Sequence, residues 1–298
     1  MSEQPDWRSR YPFDSHELLI EGLQYHYVDE GAGAPVLLVH GNPTWSFYWR
    51  ELIQGLRNGH RVVAPDHIGC GLSAKPAPGE YPFTLARRID DLRTLIESLD
   101  LRDITLVAHD WGGAIGLGAA VAMPDRFARL VLLNTAAFRS RRCPWRIRVC
   151  RTPLLGRLAV QGLNLFARAA LRMALHRPER LEPEARAGLL APYDSWRHRT
   201  AVYRFVCDIP LRPQHPSYAT LAGIEAGLAG LSDRPVLLIW GMRDWCFTPH
   251  FLDRFCDFFP AARVVRIEDA GHYVVEEAAD VILAHLREFL ARPAPVTQ

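Results

Sequence analysis

Short runs of unbroken apolar residues set the limits on how this chain folds: Val36–Val39, Val62–Ala64, Ile104–Ala108, Leu130–Leu133, Val236–Trp240 and Val264–Val265. A strand with one wet face alternates apolar and polar residues, whereas a strand covered on both faces has no reason to alternate. Continuous runs therefore predict a parallel sheet with helices on both sides. The clearest helical stretch lies between two of the runs, where Leu85, Ile89, Leu92, Ile96 and Leu99 fall on one face and form a stripe to lay against the sheet. Residues 17–30 do alternate, with His26 and Asp29 among apolar neighbours, and predict a leading antiparallel pair. The expected fold class is α/β, with a mostly parallel central sheet.

The alternation of runs and helices stops after Leu133. From Ala137 to Leu231 there are helical patterns, Leu154 to Leu175 and Arg197 to Val206, interrupted by Pro144, Pro153, Pro178, Pro183, Pro192 and Pro210, but no strand pattern until Val236. A helical segment inserted between two strands of one sheet predicts a core of 1–136 plus 232–298 and a helical cap of 137–231. A chain of 298 residues accommodates that arrangement. The tail Ala291–Gln298, with two prolines, is expected to fray.

Charge excludes some roles and leaves one open. The formal net charge of +2 is too balanced for a dedicated nucleic-acid coat. Between Phe138 and Pro178, however, the chain has ten Arg and no Asp or Glu. Such a basic segment is either a solvated face or a place that docks a membrane surface or an acidic partner. No run approaches the length needed to span a bilayer. Cys70, Cys143, Cys150, Cys207, Cys246 and Cys256 show neither CxxC nor metal-ligand spacing. The N-terminal residues lack the basic-then-apolar order of a secretion signal. A cytoplasmic protein with free thiols is expected. No metal, nucleotide or flavin motif is present, since Gly69-x-Gly71 lacks a third glycine, so no cofactor is expected.

Functional groups in open parallel sheets collect past the carboxyl ends of the strands. The run Ile104–Ala108 leads into His109-Asp110-Trp111-Gly112-Gly113 and a helix of small residues. That is the layout of a nucleophile elbow, with Asp110 where hydrolases usually place Ser, and with Ala108 in place of the first glycine of G-x-S-x-G. A carboxylate there can attack an alkyl carbon and form an ester, while an N-cap Asp would look the same in sequence. Asp244 follows the run Val236–Trp240 and His272 follows the last run, so the chain order is nucleophile, acid, base. Asn134-Thr135-Ala136, after Leu133, offers no carboxylate, which leaves Asp244 to orient His272. His40-Gly41-Asn42-Pro43 ends the first run. Its backbone N–H groups and that of Trp111 are candidates to bind an oxyanion. The Asn42 amide and the Trp111 indole are candidate donors to a leaving group.

His40-Gly41-Asn42-Pro43-Thr44-Trp45, Pro65-Asp66-His67-Ile68-Gly69, His109-Asp110-Trp111-Gly112-Gly113 and Gly271-His272 resemble the haloalkane dehalogenase branch of the α/β-hydrolase superfamily. The resemblance implies that Asn42 and Trp111 hold a departing halide, and an acid at Asp244 looks like the third subgroup of that branch. Epoxide hydrolases share the elbow but usually have Phe where this chain has Asn42. They also use two cap tyrosines as acid, and nothing in the sequence singles out Tyr193 and Tyr203 for that task. A fuller resemblance covers nearly the whole chain. Pro65–Ser73 (PDHIGCGLS), Asn134–Phe138 (NTAAF), Ala191–Trp196 (APYDSW), Asp208–Leu211 (DIPL) and Trp240–Phe247 (WGMRDWCF) are similar to the β-lactone decarboxylases of bacterial long-chain olefin biosynthesis. Those enzymes turn a cis-3-alkyl-4-alkyl-oxetan-2-one into a cis-alkene and CO2.

This resemblance implies a carbon–carbon lyase with Asp110 as nucleophile, and the β-lactone synthetase and ketone reductase of the same pathway as partners. A haloalkane dehalogenase using the same residues is the alternative. Attack by Asp110 on the ring carbon bearing oxygen or on the carbonyl both remain open, as does the task of His272 in a reaction without hydrolysis. The apolar residues of the cap, from Leu154, Leu155, Leu158 and Leu163 to Leu171 and Leu175, are expected to serve either an oily substrate or the cap's own core.

Overall fold

The computed structural model describes residues 6–292, in which eight strands form a single sheet. They are β1 (His16–Ile20), β2 (Leu23–Glu30), β3 (Pro35–Val39), β4 (Arg61–Pro65), β5 (Ile104–Asp110), β6 (Phe127–Thr135), β7 (Val236–Gly241) and β8 (Arg263–Ile267), in the order β1-β2-β4-β3-β5-β6-β7-β8. The pairs β1–β2 and β2–β4 are antiparallel and all others parallel. Each unbroken apolar run is a strand, and residues 17–30 form the expected antiparallel pair. Their two-residue connection, Glu21-Gly22, has positive φ at both positions, as a tight hairpin with right-handed strand twist requires. β5 is buried along its whole length. β8, at the sheet edge, is only partly covered and carries Arg263 and Arg266, which is why its apolar run is so short.

The helices are α1 (Arg50–Leu56), α2 (Leu85–Ser98), α3 (Trp111–Ala122), α4 (Trp145–Cys150), α5 (Leu155–Arg157), α6 (Leu165–Met173), α7 (Pro183–Leu190), α8 (Thr200–Cys207), α9 (Tyr218–Gly227), α10 (Pro249–Phe258) and α11 (Val274–Leu290). Successive residues of a strand point to opposite faces. Leu37 and Val39 of β3 accordingly pack in one core with α2, α3 and α10, and Val36 and Leu38 in the other with α1 and α11. The bidentate pair of Arg50 with Glu276, at 2.6 and 2.7 Å, ties α1 to α11 beneath the second core.

Between β6 and β7 the described chain forms helices joined by loops, α4 to α9, and no strand. The helical pattern over Leu154–Leu175 is not one helix: it is divided into α5, a π-helical turn over Leu158–Gly162, and α6. Asn164 causes the second break. It sits in the left-handed region at φ 54°, which a short polar side chain tolerates, and its Nδ2 donates to Tyr193 O at 3.1 Å. α9 packs against α3, with Leu221 and Ile224 in the first core. The frayed tail expected over Ala291–Gln298 falls almost wholly outside the described residues.

The motif Pro65-Asp66-His67-Ile68-Gly69 fixes the loops over the strand ends. The fully buried Asp66 carboxylate accepts from Ser46 N at 2.7 Å, Leu72 N at 2.8 Å and His26 Nδ1 at 2.8 Å, joining the segments after β3 and β4 to β2. Burial alone would raise this carboxyl, but the hydrogen bond and charge of His26 hold it down at about 2. A carboxyl whose pKa is lowered on folding stabilises the protein above its unfolded value and loses that contribution as pH falls toward the folded value. The Asp66 contribution is therefore complete above about pH 4 and gone near pH 2. Replacing Asp66→Ala leaves three buried donors without their acceptor. Urea denaturation at neutral pH should record a loss of about 3–5 kcal/mol, the scale of a broken buried pair.

Candidate active site

Going from β3 to β4 the chain moves toward one edge of the sheet, and β5 returns to the other side of β3. The ends of β3 and β5 therefore flank the point where strand order reverses, which is where open α/β sheets leave a crevice. Asp110 ends β5 at φ 53° and ψ −127°, a backbone conformation strained for a residue with a side chain, and α3 begins at the next residue. Its carboxylate makes no hydrogen bond to the α3 N-terminus, so Asp110 is not the capping residue that its position also allowed. Two glycines make room for the elbow. A Cβ on Gly41 would overlap the Asp110 carboxylate, and one on Gly112 would overlap Val39 O. Thr135 Oγ1 donates to Asp110 O and holds the turn from β6.

The three chain-distant residues meet here. His272 Nδ1 lies 2.8 Å from Asp244 Oδ2, and His272 Nε2 lies 3.5 Å from Asp110 Oδ2. Asp244 also accepts from Cys246 N at 2.6 Å and from Asn134 Nδ2 at 3.0 Å. Asn134 closes the arrangement by accepting from Gly241 N at 2.8 Å and donating to Gly241 O at 3.1 Å. In the sequence Asn134 opened the NTAAF motif and marked the absence of a carboxylate after Leu133, but was given no role of its own. Its position at the end of β6, next to β7, was the available sign that it holds the acid.

Charge is confined in this site. Burial would lower the His272 pKa, but Asp244 and Asp110 on either side push it up to about 10. Burial would raise Asp110, but the hydrogen bond and charge of His272 carry it below its ordinary value. The facing groups thus favour the imidazolium form of His272 beside an ionised Asp110. His109, whose ring lies 4.6 Å from that of His272, is pushed down to about 3 by burial and by the His272 charge. It stays neutral, and its Nε2 lies 2.8 Å from His272 O.

The loop after β3 differs in part from expectation. The Asn42 backbone N–H donates to Asp110 Oδ1 at 2.7 Å, so it is committed to that carboxylate and is not free for a bound oxyanion. The Asn42 side chain is free to act. Its Nδ2 donates one proton to Val202 O at 3.2 Å, and a carboxamide carries a second. Among the described residues the Trp111 indole N–H has no protein acceptor, and the ring packs on Phe205 at 5.4 Å. Asn42, Asp110, Trp111 and His272 all line one cavity of about 440 Å³. The rest of its wall is predominantly apolar, with Leu85, Phe138, Val160, Phe166, Leu221 and Phe247 among the lining residues. That is the usual make-up of a small-molecule site, a greasy cleft with a few convergent polar groups.

Neither Tyr193 nor Tyr203 lines the cavity; their hydroxyls donate to Thr44 O and Thr152 O. The cap leucines also divide. Leu171 and Leu175 are buried, but Leu154, Leu155, Leu158 and Leu163 are exposed and line no cavity, so they serve neither substrate nor cap core. A helical stripe in sequence does not say which side of it the core lies on.

Protonation of His272 is directly measurable. Its imidazole NMR signals should stay in the charged form as pH rises past 8 and titrate at about 10. A group whose pKa is raised on folding stabilises the fold below its unfolded value and loses that contribution as pH climbs to the folded one. In Asp110→Asn, which removes one of the two facing charges, the titration should move toward neutrality.

A model of the α/β-hydrolase fold matches residues 34–279. The cis-3-alkyl-4-alkyloxetan-2-one decarboxylase of Shewanella oneidensis is 43% identical over 94% of this chain and 89% of its own length. Haloalkane dehalogenase 2 of Mycobacterium tuberculosis is 34% identical over 93% of this chain and 95% of its own. The crystal structure of the haloalkane dehalogenase DatA from Agrobacterium tumefaciens superposes with a TM-score of 0.83 at 28% identity, covering 94% of this chain and 96% of the other. The chain belongs to the α/β-hydrolase fold family, with decarboxylases of alkyl-substituted oxetanones and haloalkane dehalogenases among its relatives.

Proposed function

We propose that this protein is a β-lactone decarboxylase that converts a cis-3-alkyl-4-alkyl-oxetan-2-one to a cis-alkene and CO2, with Asp110 as nucleophile. The observation that carries the reading is the greater likeness, across nearly the full chain, to an oxetanone decarboxylase than to a haloalkane dehalogenase. The predominantly apolar cavity wall supports an oily substrate.

The proposed chemistry uses the groups that line the site. An Asp110 oxygen attacks ring carbon 4, and the bond from that carbon to the ring oxygen breaks. Its electrons leave on a free carboxylate attached to carbon 3. The second proton of the Asn42 amide and the Trp111 N–H receive that carboxylate where a dehalogenase would hold halide. The bond from carbon 3 to the carboxylate then breaks, its electrons form the double bond, and Asp110 departs from carbon 4 with its original electron pair. CO2 leaves, and neither water nor a net proton is consumed. Stereochemistry is consistent with this order: displacement inverts carbon 4, and an anti elimination from the inverted ester turns a cis-lactone into a cis-alkene.

His272 acts here as a charge rather than as a base. Its imidazolium, 3.5 Å from Asp110 Oδ2, stabilises the carboxylate as it forms on departure. A hydrolase needs the same ring neutral to accept a proton from water, which the two facing carboxylates oppose until Asp110 is esterified. Asp244, held by Asn134 and Cys246, keeps the ring oriented. Residues 137–231 act as the cap, with 1–136 and 232–298 as the core. The proposed setting is cytoplasmic, with the β-lactone synthetase and ketone reductase of the same route as partners. No helix of the described residues is long and apolar enough to cross a membrane.

The second reading, a haloalkane dehalogenase, is favoured by Asn42 and Trp111 standing beside the nucleophile. Two substrates separate the readings. A synthetic cis-β-lactone with long alkyl chains should yield cis-alkene, and 1-bromobutane should yield no bromide above background. Bromide release without alkene would overturn the proposal. Asp110→Asn should lower alkene formation at least about 10³-fold, the scale of losing a nucleophile.

A further inference from the structure

The inserted helices carry an apolar surface that none of the described residues covers. Trp145 and Val149 of α4, Leu154, Leu155 and Leu158 just after it, and Leu165 of α6 are 68%, 51%, 84%, 74%, 55% and 49% exposed. These residues are close in space as well as in sequence: the turn at Gly156 packs against the carbonyls of Val149 and Cys150, and Trp145, Val149 and Leu165 share the cavity wall. Contiguous exposed apolar area of this kind marks an interaction surface in a folded protein. Around it Arg141, Arg142, Arg146, Arg148, Arg168 and Arg172 are exposed, and none forms an ion pair among the described residues. Not one acidic residue lies between Phe138 and Pro178.

The geometry points to this face as a docking surface for an anionic phospholipid bilayer. Charge complementarity selects that occupant. Short helical segments with Trp and Leu on one side and a rim of unpaired Arg sit in the interface of acidic membranes, with the apolar side chains among the acyl chains and the guanidinium groups at the phosphates. A recess of about 480 Å³ beside α4, lined by Arg148, Arg151, Arg212 and His215, offers a place for a headgroup, and Arg151 Nη1 there is buried without a partner. The cavity reaches the surface on the same face, because the exposed Arg142, Trp145, Arg146, Val149 and Leu165 form part of its wall. Docked this way, the mouth between α4 and α6 opens into the bilayer. A water-insoluble substrate then passes from lipid to Asp110 without crossing water. This delivery step rests on the proposed function; the docking does not.

Co-sedimentation with vesicles tests the docking without any substrate. The full chain should pellet at least tenfold more with vesicles of roughly 30% phosphatidylglycerol in phosphatidylcholine than with phosphatidylcholine alone. Raising salt from about 0.1 to about 0.5 M should weaken that preference. The triple variant Leu154→Ser, Leu155→Ser, Leu158→Ser, at positions outside the cavity, should lose at least tenfold in binding with its melting temperature unchanged. Arg141→Gln, Arg168→Gln, Arg172→Gln should lose the preference for acidic lipid. Asp110→Asn should bind as the unaltered chain does, so a failed reaction and a failed docking are told apart.

Delivery is read separately. Lactone presented in vesicles should be turned over more slowly by the leucine variant, and lactone dispersed in detergent equally fast. A chain that stays in solution with both kinds of vesicle overturns the docking. So does a dimer that the leucine variant converts to monomer while no vesicle is bound, which would give the face to a second copy. Equal rates of the two proteins on vesicle-borne lactone would overturn delivery.

Discussion

A carboxylate kept charged inside an apolar cavity is the condition on which this site depends. Removing a carboxylate from water costs several kcal/mol even after the protein relaxes, and an isolated Asp110 would meet that cost by taking up a proton and losing its charge. The His272 imidazolium at 3.5 Å and the Asn42 N–H at 2.7 Å prevent this. His272 in turn keeps its proton because Asp244 faces its other nitrogen at 2.8 Å. Asp110 and His272 are coupled, and weakening one changes the protonation of the other. The Asp110 carboxylate is therefore both ionised and poorly solvated, which suits attack on carbon.

Rigid elements hold that pair. The strained backbone of Asp110 persists because β5 is buried on both sides, Thr135 fixes the turn, and Gly41 and Gly112 let neighbouring loops approach closely. Asp66, which touches no part of the reaction, contributes by binding the loops after β3 and β4 to one buried acceptor. Specificity has a different origin. The inserted helices supply most of the apolar wall, and in the proposed function what they admit, together with Asn42 and Trp111, sets the substrate.

Both the fold and the placement of chemistry were largely legible in the sequence, for physical reasons. Strands covered on both faces must be apolar at every position, so Ile104–Ala108 and Val236–Trp240 announced a parallel sheet. Groups past the ends of such strands converge, so Asp110, Asp244 and His272 were traceable from strand order alone. Asn134 was missed because its task, bridging Asp244 and Gly241, depends on β6 lying next to β7. The break at Asn164 was missed because helical periodicity continues through it while the backbone does not. Leu154, Leu155 and Leu158 were assigned to the interior because an apolar stripe looks the same whether it faces a core or a lipid surface.

The claim that Asp110 departs from carbon with its own oxygens, with no water cleaving its ester, is tested most directly by isotope. Many turnovers of the cis-β-lactone in water enriched in oxygen-18, followed by mass analysis of the Asp110 peptide, report whether solvent oxygen ever enters that carboxylate. The account predicts alkene formation with no label in Asp110. Label in the Asp110 carboxylate would mean that water cleaves an ester or an anhydride there, and would contradict it.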